Sequence, residues 1–188
     1  MVAFQNHSKL KVMVVIFVMK IKKRCYKFKI DNGPIVDLTP NIIEKVIPYL
    51  QLNGNTTEAG GCLVGFENNN TSNITLNDIS LPGDKDIRNR VFCKLRDKVH
   101  KIFLNRQIRE KNFYMGNWHT HPQTAPTPST IDISDWKTAL HQDRTGCSYI
   151  FFIIFGTDEF KVWYGDFANK RITELKEMKR QKDFYVKE

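Results

Sequence analysis

The 188-residue sequence has no Cys-x-x-Cys pair, no internal repeat, no linker-like stretch and no apolar run of membrane-spanning length. Each absence removes a class of protein. Four cysteines spread singly (Cys25, Cys62, Cys93 and Cys147) indicate neither a disulfide framework nor a cysteine-only zinc site, and point to a reducing, intracellular, cytoplasmic setting. The unbroken apolar run Val12–Met19 has eight residues, against the ~20 that a spanning helix needs, so no membrane is expected. Acidic residues are the scarcer sign: 20 Asp+Glu stand against 29 Lys+Arg, a formal charge of +9. That balance favours an acidic partner or a polyanion but does not set a fold. What is there, 41% hydrophobic and 12% aromatic residues, is enough for one real core and excludes a disordered or coiled-coil chain.

The N-terminus admits three readings. Lys9 and Lys11 precede the apolar run as in a secretory leader, but Lys20, Lys22, Lys23 and Arg24 stand where a small-residue cleavage site belongs. The segment can also be an extra β-strand, or an extension ahead of a start at Met19. Residues 1–18 are therefore set apart as an N-terminal extension, and 19–188 are read as a single domain.

From Met19 onward the chain reads as alternating α/β. Tyr26, Phe28 and Ile30 alternate with lysines as a half-buried strand, and Asp31-Asn32-Gly33-Pro34 turns the chain. Thr39-Pro40 reads as an N-cap and first helical residue, with the helix ending near Leu52. Strands are expected over 58–66, around Ile74–Ile79 and over 113–121. Val91, Phe92, Leu95, Val99, Ile102 and Phe103 recur at helical spacing, which predicts the longest helix over 87–109. A third helix is expected from Thr130 to about His141. Tyr149–Phe155 is apolar enough to be a central strand buried on both faces, followed by a tight turn into a partner strand at Phe160, Val162 and Tyr164. The tail reads as a strand and a frayed helix.

One stretch carries chemistry: Gly116-Asn117-Trp118-His119-Thr120-His121-Pro122, continuing to Ser129-Thr130-Ile131-Asp132. Residues two apart on a strand share a face, so His119 and His121 present two imidazoles side by side. Asp132 falls in the first turn of the next helix. Two imidazoles and a carboxylate are a normal ligand set for a catalytic zinc that keeps one position for water, whose pKa the metal lowers to about 7. Glu58, in Glu58-x-Gly60-Gly61-x-Leu63-x-Gly65, is the candidate general base, and its glycines permit close backbone approach. A blander reading stands beside this one. Ser129-x-x-Asp132 is also a helix-capping arrangement, and His7, His100 and His141 read as ordinary structural histidines.

His119-x-His121, seven residues, Ser129, two residues and Asp132, with the upstream glutamate strand, resembles the JAMM (MPN+/JAB) metalloprotease signature over roughly residues 20–164. The wording Gly-x-Trp-His-Thr-His-Pro resembles compact bacterial JAB deconjugases of mobile-element and antiphage operons. The resemblance implies a single-domain α/β fold of the JAB/MPN, cytidine-deaminase-like type, with a mixed central sheet flanked by about three helices. It implies one zinc per chain held by His119, His121 and Asp132, acid/base work at Glu58, and at Ser129 a hydrogen bond to the oxyanion or activated water. The implied activity is peptide or isopeptide hydrolysis after the C-terminal tail of a ubiquitin-like modifier. Activating-like and conjugating-like enzymes of the same operon are the implied partners. The short turn after Phe155 leaves no room for a linkage-selecting insertion, so removal of a single modifier or trimming of a precursor is expected. Three rivals stay open: maturation of a sulfur-carrier-like protein, a non-catalytic interaction module, and nucleic-acid binding. The last rests only on lysines at alternating strand positions, and no nucleic acid is expected.

Overall fold

A computed structural model describes residues 25–178; the readings that fell on 1–24 and 179–188 lie outside it. Ten strands and three helices follow one another: β1 (Tyr26–Lys29), β2 (Ile35–Leu38), α1 (Pro40–Val46), β3 (Gly60–Glu67), β4 (Ile74–Ile79), β5 (Ile87–Asn89), β6 (Phe92–Lys94), α2 (Val99–Arg109), β7 (Phe113–Thr120), α3 (Thr130–Gln142), β8 (Tyr149–Phe155), β9 (Phe160–Asp166) and β10 (Ile172–Leu175). Eight strands form one mixed sheet in the order β1-β2-β4-β3-β7-β8-β9-β10, while β5 and β6 form a separate hairpin. The α/β class, the mixed sheet and the three helices are as expected. None of the described helices is long and apolar enough to cross a membrane.

The core follows from the sequence pattern. β8 (Tyr-Ile-Phe-Phe-Ile-Ile-Phe) is buried along almost its whole length, because it lies between β7 and β9 with side chains packed on both faces. On one face Phe151, Ile153 and Phe155 join Leu63, Trp118, Val162 and the α1 residues Ile42, Ile43 and Val46. On the other, Ile150, Phe152 and Ile154 pack under Trp136 and Leu140 of α3, with Trp136 stacked on Phe152 at 4.7 Å between ring centroids. In β1 the alternation is clean, with Tyr26 and Phe28 buried and the lysines wet. Beyond β10 the chain reaches the opposite edge, where Glu177 bridges Phe28 and the Met178 amide donates to Lys27 O at 2.8 Å.

Three local expectations fail. The helix predicted over 87–109 is the β5–β6 hairpin followed by the shorter α2, because Asp86 draws in the amides of Gly83, Arg96 and Asp97 and folds the segment on itself. Its apolar residues form no buried stripe: Ile87 and Val91 are exposed. The first helix stops at Val46 rather than near Leu52, and a 3₁₀ turn over Ile47–Tyr49 that contains Pro48 follows. β2, over residues to which the sequence pattern assigns no element, is a four-residue strand parallel to β4. Thr39 stands at the α1 N-cap, yet its hydroxyl donates to Asn77 O at 3.1 Å and makes no cap bond.

Gly116 is the tightest point in the sheet. Its φ of +139°, together with a register shift between Leu63 and Val64, lets β7 run between β3 and β8. A Cβ there would stand 1.8 Å from Phe151 O. Since neither the backbone angle nor the space admits a side chain, Gly116→Ala is expected to cost at least about 2 kcal/mol in urea unfolding. A variant as stable as the parent would show that the strand relaxes freely at this position.

Candidate metal and hydrolytic site

The site lies where β3 begins and β7 ends. Their antiparallel register sets Gly60 opposite His119 and Cys62 opposite Asn117. One residue further, the Thr120 amide donates to Ala59 O at 2.8 Å and the Thr120 hydroxyl accepts from Ala59 N at 3.0 Å, which fixes Glu58 next to the histidines. His121 lies just beyond β7, with its amide bonded to Phe155 O at 2.8 Å, so the two-residue alternation carries on through it.

The three donors that the sequence picked out converge. His119 Nε2 lies 3.1 Å from His121 Nε2. Asp132 Oδ1 is 3.2 Å from His119 Nε2, and Oδ2 is 3.5 Å from His121 Nε2. Glu58, buried, places a carboxylate oxygen within 4.8 Å of a nitrogen on each imidazole. Two ring nitrogens this close, with a carboxylate on both, form a donor set suited to a cation. Gln123 Oε1 accepts from His121 Nδ1 at 3.3 Å, which orients the ring so that Nε2 is turned toward His119 and Asp132. No sequence signal marked Gln123.

Ser129 caps α3. Its hydroxyl accepts from Asp132 N at 3.2 Å, and its amide donates to Asp132 Oδ2 at 2.6 Å. The capping reading of the sequence is therefore present, and it orients the same carboxylate that faces the histidines. Burial favours the protonated form of Asp132, but the hydrogen bonds from both histidines and Ser129 outweigh it and hold the carboxyl well below its usual range. For Glu58 burial is the larger influence: despite the nearby imidazoles, its pKa lies above the ordinary carboxylate value. Burial would lower the His121 pKa, yet its bonds to Asp132 and Gln123 raise it.

A cleft of about 220 Å³ opens beside these groups, bounded by Cys93, Lys94 and Leu95 of the hairpin and by Asp135, Trp136 and Ala139 of α3. Its floor includes Gly60, where a Cβ would meet Cys93 Sγ at 3.3 Å and His119 Cβ at 3.4 Å. The hairpin that walls the cleft also holds the glutamate: Glu58 N donates to Asn89 O at 2.7 Å, and Arg88 Nε donates to Glu58 O at 2.7 Å. Sequence reading missed this role, because residues 87–94 were assigned to a helix.

A buried polar relay anchors the hairpin in turn. The Ser80 hydroxyl lies 2.7 Å from His100 Nδ1, and His100 Nε2 lies 2.8 Å from Asp86 Oδ2. Ser80 Oγ also accepts from Cys62 N at 2.7 Å, which ties the relay to β3. Burial alone would raise the Asp86 pKa, but the amides of Asp97, Gly83 and Arg96 and the His100 bond bring it down to about 2. A carboxyl with a depressed folded pKa stabilises above its unfolded value, near 3.9, and loses that contribution as pH falls toward 2. Asp86→Asn is expected to lower stability by roughly 2 kcal/mol at pH 7, with the gap to the parent closing between about pH 5 and pH 2. Denaturant unfolding across that range checks it; a gap independent of pH would mean that the ionised carboxylate is not what holds the loop.

The chain is similar to known proteins. A protein of Vibrio cholerae named CD-NTase/cGAS isopeptidase is 29% identical over 154 residues, covering 80% of this chain and 94% of its own length. An Escherichia coli protein of the same name is 28% identical over 149 residues, covering 78% and 89% respectively. Residues 43–165, which include every site residue above, match the family described as prokaryotic homologs of the JAB domain, and the chain belongs to that family.

Proposed function

We propose that the protein is a zinc-dependent isopeptidase that releases a CD-NTase-like protein from conjugates made through its C-terminal tail. The observation that carries this reading is the convergence of His119 Nε2, His121 Nε2 and the Asp132 carboxylate at 3.1–3.5 Å, with Glu58 beside them. Ligand atoms around a four-coordinate zinc with bonds of about 2.0–2.1 Å stand about 3.3 Å apart, so the donor triangle fits that ion. The isopeptidase names of the relatives support the reaction, and the activity named for them supplies the substrate class.

In this reading His119, His121 and Asp132 hold one zinc, which when bound polarises the scissile carbonyl and makes hydroxide available near neutral pH. Glu58 takes the proton of the attacking water and passes it to the leaving amine; burial, by raising its pKa, suits it to that exchange. The Ser129 hydroxyl accepts the cap bond through its oxygen and so keeps its proton to donate to the developing oxyanion. The extended tail lies in the cleft between β6 and α3. Among the described residues β6 pairs with β5 alone, so its outer edge can take an added strand that leads the tail toward His119. The β8–β9 connection spans only residues 156–159, which fits removal of a single modifier better than selection among chain linkages.

Metal content and turnover separate the assigned roles. His119→Ala or His121→Ala is expected to lose the zinc, because each removes one of three protein ligands. Glu58→Gln is expected to keep the metal and lose at least about a hundredfold in rate. Ser129→Ala is expected to slow turnover while losing about 1 kcal/mol through the cap. Elemental analysis, with hydrolysis of a fusion between a CD-NTase C-terminus and a fluorescent protein, reads all four. A full complement of zinc in either histidine variant would overturn the ligand set.

A further inference from the structure

The cations of the described chain are unevenly placed. Residues 84–101 carry seven of them (Lys85, Arg88, Arg90, Lys94, Arg96, Lys98 and Lys101) against three carboxylates. Elsewhere among the described residues carboxylates outnumber cations, fifteen to twelve. Two of the three local carboxylates are taken up by backbone amides, Asp86 by those of Gly83, Arg96 and Asp97, and Asp97 by those of Lys85 and Val99. Arg88 is directed at Glu58 O. Arg90, Lys94, Arg96, Lys98 and Lys101 are all exposed, and among the described residues none makes an ion pair, whereas Lys27, Lys45, Arg106 and Lys161 elsewhere do.

Apolar residues are interleaved with these charges. The hairpin register pairs Ile87 with Lys94 on one face and Arg88 with Cys93 on the other. Arg88 and Cys93 face the glutamate and the cleft, so Ile87, 49% exposed, faces outward, while the exposed Lys94 stands at the cleft's rim. At the tip Val91 is 76% exposed beside Arg90, and on α2 Ile102 is 59% exposed beside Lys101. Leaving so much apolar area in water is unfavourable unless something covers it.

We propose that the outer face of the β5–β6 hairpin and the start of α2 form a cationic, apolar-tipped docking surface. Its occupant is an acidic face on the body of the protein whose tail lies in the cleft. This rests on the isopeptidase reading, and it adds the chemistry by which the body, as distinct from the tail, is chosen. The surface adjoins the cleft through Lys94, which lines it, so one partner reaches both. Opposite charge there speeds encounter and penalises neutral or basic bodies that carry a similar tail. The interleaved Ile87 and Val91 favour a folded protein over nucleic acid, which would want aromatic platforms or a helix aligned for a groove.

The test separates docking from cleavage. Full-length Glu58→Gln protein is titrated with the unconjugated nucleotidyltransferase body that the isopeptidase reading makes the substrate, at about 50 mM and about 500 mM salt. Arg90→Glu combined with Lys98→Glu lies outside the cleft lining and should weaken binding at least about tenfold at low salt, with the difference fading at high salt. Arg109→Glu combined with Lys176→Glu, also exposed, should change it less than about twofold. The catalytically intact hairpin variant should cleave a fusion bearing the tail alone at the parental rate. Equal affinity of parent and hairpin variant for the body, or no binding by the parent, would overturn the proposal. So would a hairpin variant that loses affinity for a DNA duplex of about 20 base pairs while keeping the body, which would assign the patch to nucleic acid. Charge-dependent docking without cleavage of the tail fusion would uphold the surface and reject the isopeptidase reading.

Discussion

Everything at the site depends on the antiparallel register between β3 and β7. Glu58 and His119 are distant in the chain, and only this pairing, extended by the double bond between Ala59 and Thr120, brings a buried carboxylate beside the imidazoles. A shift by one residue would turn Asn117 and His119 to the opposite face, against Phe151 and Phe155, and expel Trp118 from it. The register is held by burial on both sides of the sheet. Trp118 is locked on one face, with its indole N–H donating to Ser80 O at 3.0 Å, and Phe152 lies under Trp136 on the other. Positioning for chemistry is thus a by-product of core packing, which is why the site sits on strands instead of on a mobile loop.

The hairpin is held by different physics. It buries little, and Ile87 and Val91 remain in water. Its place is fixed by polar groups whose partners are all supplied: both oxygens of Asp86 accept two bonds each, and His100 bridges Asp86 to Ser80. Because the Asp86 carboxylate can only accept, His100 Nε2 carries a proton, and a neutral ring then accepts from Ser80 through Nδ1. Such a network is worth more than its separate bonds when complete and is costly when broken. It suits an element that must hold Glu58 by its backbone while leaving the opposite edge of β6 free for another chain.

Legibility in the sequence follows the same division. Elements whose burial has one simple period were readable: β1 from Tyr26 and Phe28, β8 from its continuous apolar run, and α3 from Ser129 onward. The convergence of His119, His121, Asp132 and Glu58 was legible from the strand spacing of the two histidines together with the resemblance of the whole set to a known metalloprotease signature. The β5–β6 hairpin was not. Val91, Phe92, Leu95, Val99, Ile102 and Phe103 imitate a helical stripe, and periodicity cannot reveal that a single carboxylate, Asp86, gathers three amides into a turn. Likewise Gln123 holds the His121 ring, Arg88 donates to the Glu58 carbonyl and the Asn89 carbonyl accepts the Glu58 amide, and residues that act by holding others leave no spacing signature.

Asp132 shows why two readings of one motif need not compete. Its Oδ2 accepts the Ser129 amide at 2.6 Å while lying 3.5 Å from His121 Nε2, and its Oδ1 faces His119. The cap fixes the side chain before any cation arrives, so the carboxylate loses little further rotamer freedom when it binds one. The same first turn of helix places a partial positive charge beside that carboxylate, which favours its ionised, ligating form. In the proposed metal site, the capping box is the device that orients a ligand in advance. The structural reading is therefore part of the functional one.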